Sequence, residues 1–149
     1  MTPMRLLLAA LVAASASAAV APPAAAGHCL GHDVLEPILD PLNQCRNRPP
    51  NAPQWTQWPS RTSVGALETY CVYVSDPDGD ALREVIFQFW DAGNPNSERV
   101  VPGPHPSGST VCVQYAYLDS GEYLASAGVY DTAGAWAGYT DSPRFYVSR

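Results

Sequence analysis

Apolar and polar positions alternate along most of residues 54–148 with a period of two. That period places successive side chains on opposite faces of a strand. The pattern predicts strands at 54–58, 67–75, 82–90, 98–101, 110–118, 122–130 and 145–148, with a further piece at 136–139. Clusters of turn-forming residues separate them: Pro77-Asp78-Gly79, Gly93-Asn94-Pro95-Asn96, Pro102-Gly103-Pro104 and Asp119-Ser120-Gly121. About seven short strands with a turn every 8–12 residues indicate an all-β antiparallel sandwich. Tyr70, Val72 and Val74 share one strand face, as do Val111, Val113, Tyr115 and Tyr117, and as do Tyr123, Ala125, Ala127 and Val129. In 82–90, Val85, Phe87 and Phe89 point one way and Ile86 and Trp90 the other, so both faces of that strand are expected to be covered.

Cys71 and Cys112 fall opposite the apolar faces of their strands. Two cysteines pointing the same way from neighbouring strands can be bridged, whereas a slip of one residue separates them. The other two cysteines, Cys29 and Cys45, lie in an N-terminal element that is too short for a core of its own. Four cysteines allow three pairings; Cys29–Cys45 with Cys71–Cys112 is the one favoured. Zinc is the rival use of four cysteines, but no C-x-x-C spacing is present.

Ahead of the strands the pattern changes. Residues 1–26 carry Arg5, an apolar run and Ala24-Ala25-Ala26, the layout of a secretory signal peptide. Residues 27–50 form a cysteine-bearing extension ending in a Pro-rich spacer, and 51–149 the sandwich. Within the extension, 34–42 has apolar residues at near-helical spacing, which Pro37 and Pro41 limit to one or two turns. No other stretch is apolar enough for a membrane span. An exported chain with an even number of cysteines is expected in an oxidising, extracellular setting.

All eight basic residues are arginine. Without the signal segment, seven arginines face fourteen carboxylates, a formal charge of −7. That balance argues against nucleic acid and anionic membranes as partners and favours cations.

The carboxylates are not spread evenly. Ser75-Asp76-Pro77-Asp78-Gly79-Asp80 puts three aspartates at alternate positions directly after an apolar strand. Asp131-Thr132-Ala133-Gly134 repeats the arrangement in weaker form. Carboxylates crowded in one turn must be solvated or neutralised, and Ca²⁺ takes six to eight hard oxygens. Asp76, Asp78, Asp80 and Asp131 are therefore candidate Ca²⁺ ligands, against the plainer reading that Asp, Pro and Gly simply make good turns. His28, Cys29 and His32 invite a Cu²⁺ reading if processing left His28 third from the new terminus.

Three blocks resemble the immunoglobulin-like sandwiches of prokaryotic surface and secreted proteins, in particular the PKD family and its cadherin-like neighbours. The first is 70–80, with its Asp-Pro-Asp-Gly-Asp turn; the second is Asp119-Ser120-Gly121-Glu122-Tyr123; the third is Val129-Tyr130-Asp131-Thr132-Ala133-Gly134. The family's Trp-x-Phe-Gly-Asp-Gly segment is only partly matched, by Trp90-Asp91-Ala92-Gly93-Asn94-Pro95. The resemblance implies a structural role for Tyr123, whose hydroxyl bonds back to upstream backbone in related sandwiches. It also implies that the two acidic turns share one end of the fold.

No nucleophile elbow is present, and His105 sits between prolines with no evident partner. The expected function is a noncatalytic binding or adhesion module acting on an extracellular protein or glycan, with Ca²⁺ as a candidate stabiliser and no cofactor required. One alternative is a carbohydrate-binding module using exposed rings, with Trp55, Trp58 and Trp136 as the candidate surface and Trp90, Tyr73 and Tyr139 as further large rings. The other is a secreted inhibitor or effector with a protein partner.

Overall fold

The computed structural model describes residues 47–149. The signal-like segment, the predicted turns at 34–42, Cys29, Cys45, His28 and His32 lie outside the described residues. Ten strands and no helix make up the described part: β1 (Gln54–Gln57), β2 (Arg61–Ser63), β3 (Glu68–Val74), β4 (Leu82–Gln88), β5 (Glu98–His105), β6 (Ser109–Tyr115), β7 (Gly121–Tyr123), β8 (Ser126–Asp131), β9 (Trp136–Asp141) and β10 (Phe145–Ser148). They form sheets β1-β3-β6, β2-β10-β7 and β5-β4-β8-β9. All pairings are antiparallel except β2 with β10. Among the described residues no helix is long and apolar enough to cross a membrane.

One core joins the three sheets, and the period-two faces fill it. Tyr70, Val72 and Val74 of β3, Val85 and Phe87 of β4, Ala127 and Val129 of β8, and Phe145 of β10 have no exposed surface. At its centre Phe89 stacks on Tyr115 with ring centroids 4.0 Å apart, and Tyr70 and Tyr117 meet Phe89 edge-on. The Tyr117 hydroxyl donates to the Phe89 carbonyl at 2.9 Å, which a buried phenol needs. Burial holds the Tyr70 and Tyr117 phenols neutral well above the ordinary range and pushes Tyr115 up to about 12, where a bond to Asp91 adds to the effect.

Cys71 and Cys112 are directly opposed in the β3–β6 register and are disulfide-bonded. The bridge joins two strands of one sheet and faces away from the core, as the parity of their neighbours requires.

Three expectations need correction. The run 122–130 is two strands, not one: β7 pairs with β10, and β8 pairs with β4 and β9. The chain changes sheets at Leu124-Ala125, where the Ala125 N–H is satisfied by the Ser142 hydroxyl. Similarly, 54–58 ends at Gln57, and after Pro59 the chain continues as β2 in another sheet; proline lacks the N–H a continuous ladder would need. Third, Pro102-Gly103-Pro104 is not a turn but lies inside β5. β5 is an edge strand, where proline is tolerated, and Gly103 is required because a Cβ there would stand 2.4 Å from the Leu82 carbonyl oxygen.

Candidate metal centre

The 75–80 segment folds into a turn held by Asp76 at both ends. Its carbonyl accepts from Gly79 N–H at 3.2 Å, with Pro77 and Asp78 between. Pro presets the first central φ, and Gly79 takes φ 80°, which costs a residue without Cβ nothing. The Asp76 side chain closes the loop, because Oδ1 accepts from the N–H groups of Asp78 (2.7 Å) and Asp80 (3.3 Å). Ser107, in the connection between β5 and β6, pins the backbone of Asp76 through its hydroxyl at 2.8 Å.

The same device recurs at the end of β8. The Asp131 carbonyl accepts from Gly134 N–H at 3.2 Å, and its Oδ1 accepts from Ala135 N–H at 2.7 Å. A bond from Thr132 N–H to the Ala81 carbonyl ties this turn to the first. The two acidic turns thus lie side by side at one pole of the sandwich.

What each carboxylate does there differs. Asp76, Asp78 and Asp80 each bring an oxygen within 4.8 Å of the others. Asp131 is outside that set; it is fully buried, and its Oδ2 accepts from the Asn47 amide at 2.8 Å. Asp78 is paired with Arg48, whose guanidinium approaches Oδ1 at 2.6 Å while the Arg48 N–H reaches Oδ2 at 2.7 Å. That contact holds the Asp78 carboxyl below the usual carboxylate range and raises Arg48. Asp80 has no such partner. Burial first, and then the charges of Asp76, Asp78 and Asp131, push it upward. Asp76 is 6% exposed, and its Oδ2 makes no hydrogen bond.

An ionised oxygen buried without a donor is costly unless a cation or proton answers it. Four carboxylates and one guanidinium leave the pole strongly negative. The donors are hard oxygens, the chemistry Ca²⁺ takes, so Asp76, Asp78 and Asp80 fit a cation, with Asp131 adding charge behind them.

Asn47 and Arg48 were not apparent as site residues. Arg48 lies 30 residues before the Asp78 it contacts and Asn47 lies 84 before Asp131, so no local pattern links either to its turn.

The aromatic candidates divide. Trp55 packs edge-on against Phe87 at 6.0 Å and donates its indole N–H to the Thr140 carbonyl, and Trp58 packs against the core. Trp136 is half-buried on the outer surface of β9. Trp90 does not continue β4; it is 56% exposed. Tyr73 and Tyr139 are also exposed. Tyr123 is half-buried with its ring 4.3 Å from Tyr117, and the buried hydroxyl-to-backbone bond in this region comes from Tyr117. His105 ends β5, with Nε2 3.2 Å from the Val101 carbonyl.

No protein-family model matches the chain, and no curated protein does. Among solved structures, the PKD domain of an M14-like peptidase from Thermoplasmatales archaeon SCGC AB-540-F20 is similar, with a TM-score of 0.59 and 22% identity over 70% of this chain and 100% of that one. A superoxide reductase (neelaredoxin) from Ignicoccus hospitalis is also similar, with a TM-score of 0.51 and 14% identity over 67% of this chain and 83% of that one. At these identities the likeness is one of architecture: the described residues have a PKD-like immunoglobulin fold.

Proposed function

We propose that this chain is an extracellular, noncatalytic binding or adhesion module whose acidic pole is completed by Ca²⁺. The observation that carries the cation is Asp76 Oδ2, buried and without a donor, in a cluster where Asp78 and Asp80 bring oxygens within 4.8 Å. Asp76, Asp78 and Asp80 would hold the ion; bound there, it supplies positive charge that cross-links the turn. Asp76 Oδ1 keeps its two backbone donors, so the turn is shaped before the ion arrives.

The extracellular setting is supported by the signal-like segment, the even number of cysteines and the Cys71–Cys112 bridge. The binding role is supported by a rigid sandwich that exposes large rings while its own core is full.

Isothermal titration of the mature chain with Ca²⁺, repeated with Tb³⁺ luminescence excited through the aromatic residues, tests the cation. One site is expected, absent in Asp76→Asn. No heat and no luminescence at millimolar ion would refute it.

A further inference from the structure

The outer face of the β5-β4-β8-β9 sheet carries an aromatic surface with an unusual construction. Val85, Phe87, Ala127 and Val129 turn inward, so their neighbours form the outer rows. The register aligns Val100, Ile86, Gly128 and Tyr139 across the four strands. Pro102, Glu84, Tyr130 and Trp136 make the next row toward the acidic pole, and Glu98, Gln88, Ser126 and Asp141 the next one away from it.

Gly128 makes room for the Trp136 indole. A Cβ there would stand 1.9 Å from Trp136 Cη2, so the indole lies across the strand in the space a side chain would fill. Trp136 also rests on Tyr130 at 4.4 Å and meets Tyr139 edge-on at 5.2 Å. The Arg83 guanidinium, 4.8 Å from the Tyr130 ring, braces the other side.

Trp90 extends this surface at the far end of β4. Its φ is 52°, a left-handed conformation that costs a bulky residue free energy and is kept only where surroundings enforce it. Phe89 before it and Asp91 after it are both buried, the latter through bonds from the Tyr115 hydroxyl (3.0 Å) and Leu118 N–H (3.1 Å) to Oδ2. Trp90 lies between them on the outer side, the face shared by Ile86 and Gln88. Its indole N–H then donates to Ser126 Oγ at 2.8 Å, and Ser126 donates to Asp141 at 2.6 Å, which fixes the ring's orientation. Beside it opens a groove of about 410 Å³ whose polar wall includes Asp141, Glu122 and Arg144.

Resting on the binding-module reading, we propose that this face binds a neutral polysaccharide, with Trp90, Tyr139 and Trp136 as its stacking platform. Exposed ring faces held in fixed orientations accept the C–H faces of sugar rings, and the quadrupole of an aromatic face favours such polarised C–H groups. Hydroxyls at the sugar's edge need both acceptors and donors, and the groove offers the carboxylates of Asp141 and Glu122 and the guanidinium of Arg144. A nucleic-acid strand would also stack, but it requires a positive groove, and this chain has a net charge of −6. The same charge disfavours acidic sugars, leaving neutral ones.

The full mature chain is tested by depletion on insoluble cellulose, xylan, mannan, chitin and starch, then by titration with a hexasaccharide of whichever binds. Trp90→Ala and Tyr139→Ala are each expected to weaken binding by about 30-fold, the size of an interface hot spot. Trp90→Phe, which keeps a ring, should recover part of the loss. In ¹H–¹⁵N spectra the Trp90 and Trp136 indole signals should move with sugar, and those of Trp55 and Trp58 should not. No binding to any of the five polymers, or binding undiminished in the Ala variants, would overturn the proposal. So would attachment to a protein through these rings. The Ca²⁺ response at the acidic pole is read separately in the same samples, so failure of one reading is distinguishable from failure of the other.

Discussion

Replacing Asp76 by asparagine should reverse sign with calcium. In calcium-free buffer the wild-type Asp76 keeps one oxygen buried without a donor among other carboxylates. The Asp76→Asn change would preserve the Oδ1 acceptor for the Asp78 and Asp80 N–H groups, remove the charge, and offer Asp80 an amide donor. The variant should therefore melt higher than wild type in chelator. With Ca²⁺ the order should invert. A ligand that binds only the folded state stabilises by RT ln(1 + [L]/Kd), and extracellular Ca²⁺ modules have Kd of about 10⁻⁴–10⁻³ M. At about 10 mM Ca²⁺ that gives about 1.4–2.7 kcal/mol. For a domain of this size, at about 4 °C per kcal/mol, the wild-type Tm should rise by about 6–11 °C. Calorimetric melts in chelator and in Ca²⁺, with ionic strength matched by NaCl, measure both effects. The reasoning is refuted if Asp76→Asn melts lower than wild type in chelator and still gains the same increment from Ca²⁺.

Other outcomes follow from the same contacts. Arg48→Gln removes the cation that faces Asp78, so titration calorimetry should show tighter Ca²⁺ binding while the calcium-free Tm falls. The pH dependence has two limbs. Asp80 is raised above 3.8, so the folded state holds its proton more firmly, and calcium-free stability should increase as pH falls from neutral through the Asp80 pKa. Asp78 is lowered, so its contribution is present above 3.8 and lost as pH falls through its depressed pKa; melts across this range should show a maximum that Arg48→Gln flattens on the acid side. Converting Cys71 and Cys112 together to Ala, across a separation of 41 residues, should cost about 4 kcal/mol by chain entropy, read from urea midpoints. Tyr115→Phe withdraws a donor from buried Asp91 and should cost about 1–3 kcal/mol in the same assay.

Much of the frame was legible because a strand has only two faces. Once Tyr70, Val72 and Val74 were set inward, Cys71 had to point out, and the same parity placed Cys112 opposite it. The pole was legible because Asp-Pro-Asp-Gly is a local instruction that needs no partner to form a turn. What stayed hidden depended on distant contacts. Nothing near 124–125 announces a change of sheet, because Tyr123, Ala125, Ala127 and Val129 continue one period across it. Arg48 gives no hint that it will reach Asp78. Trp90 ends a run of alternating residues and reads as strand, whereas its backbone is left-handed and the next residue, Asp91, is held by Tyr115 and Leu118, far along the chain.

The parallel pairing of β2 with β10 has a mechanical consequence. Tension between the two ends of the described chain would first be met by the Asn47–Asp131 and Arg48–Asp78 contacts and then by β1, whose ladder with β3 is short and bulged. Beyond Pro59 the load would reach β2, which runs alongside β10 in the same direction over Arg61–Ser63. Parallel strands pulled from opposite ends must slide past each other, so their hydrogen bonds are strained together in shear instead of opening one after another. Under end-to-end tension that three-residue pairing would therefore act as a clasp loaded in shear.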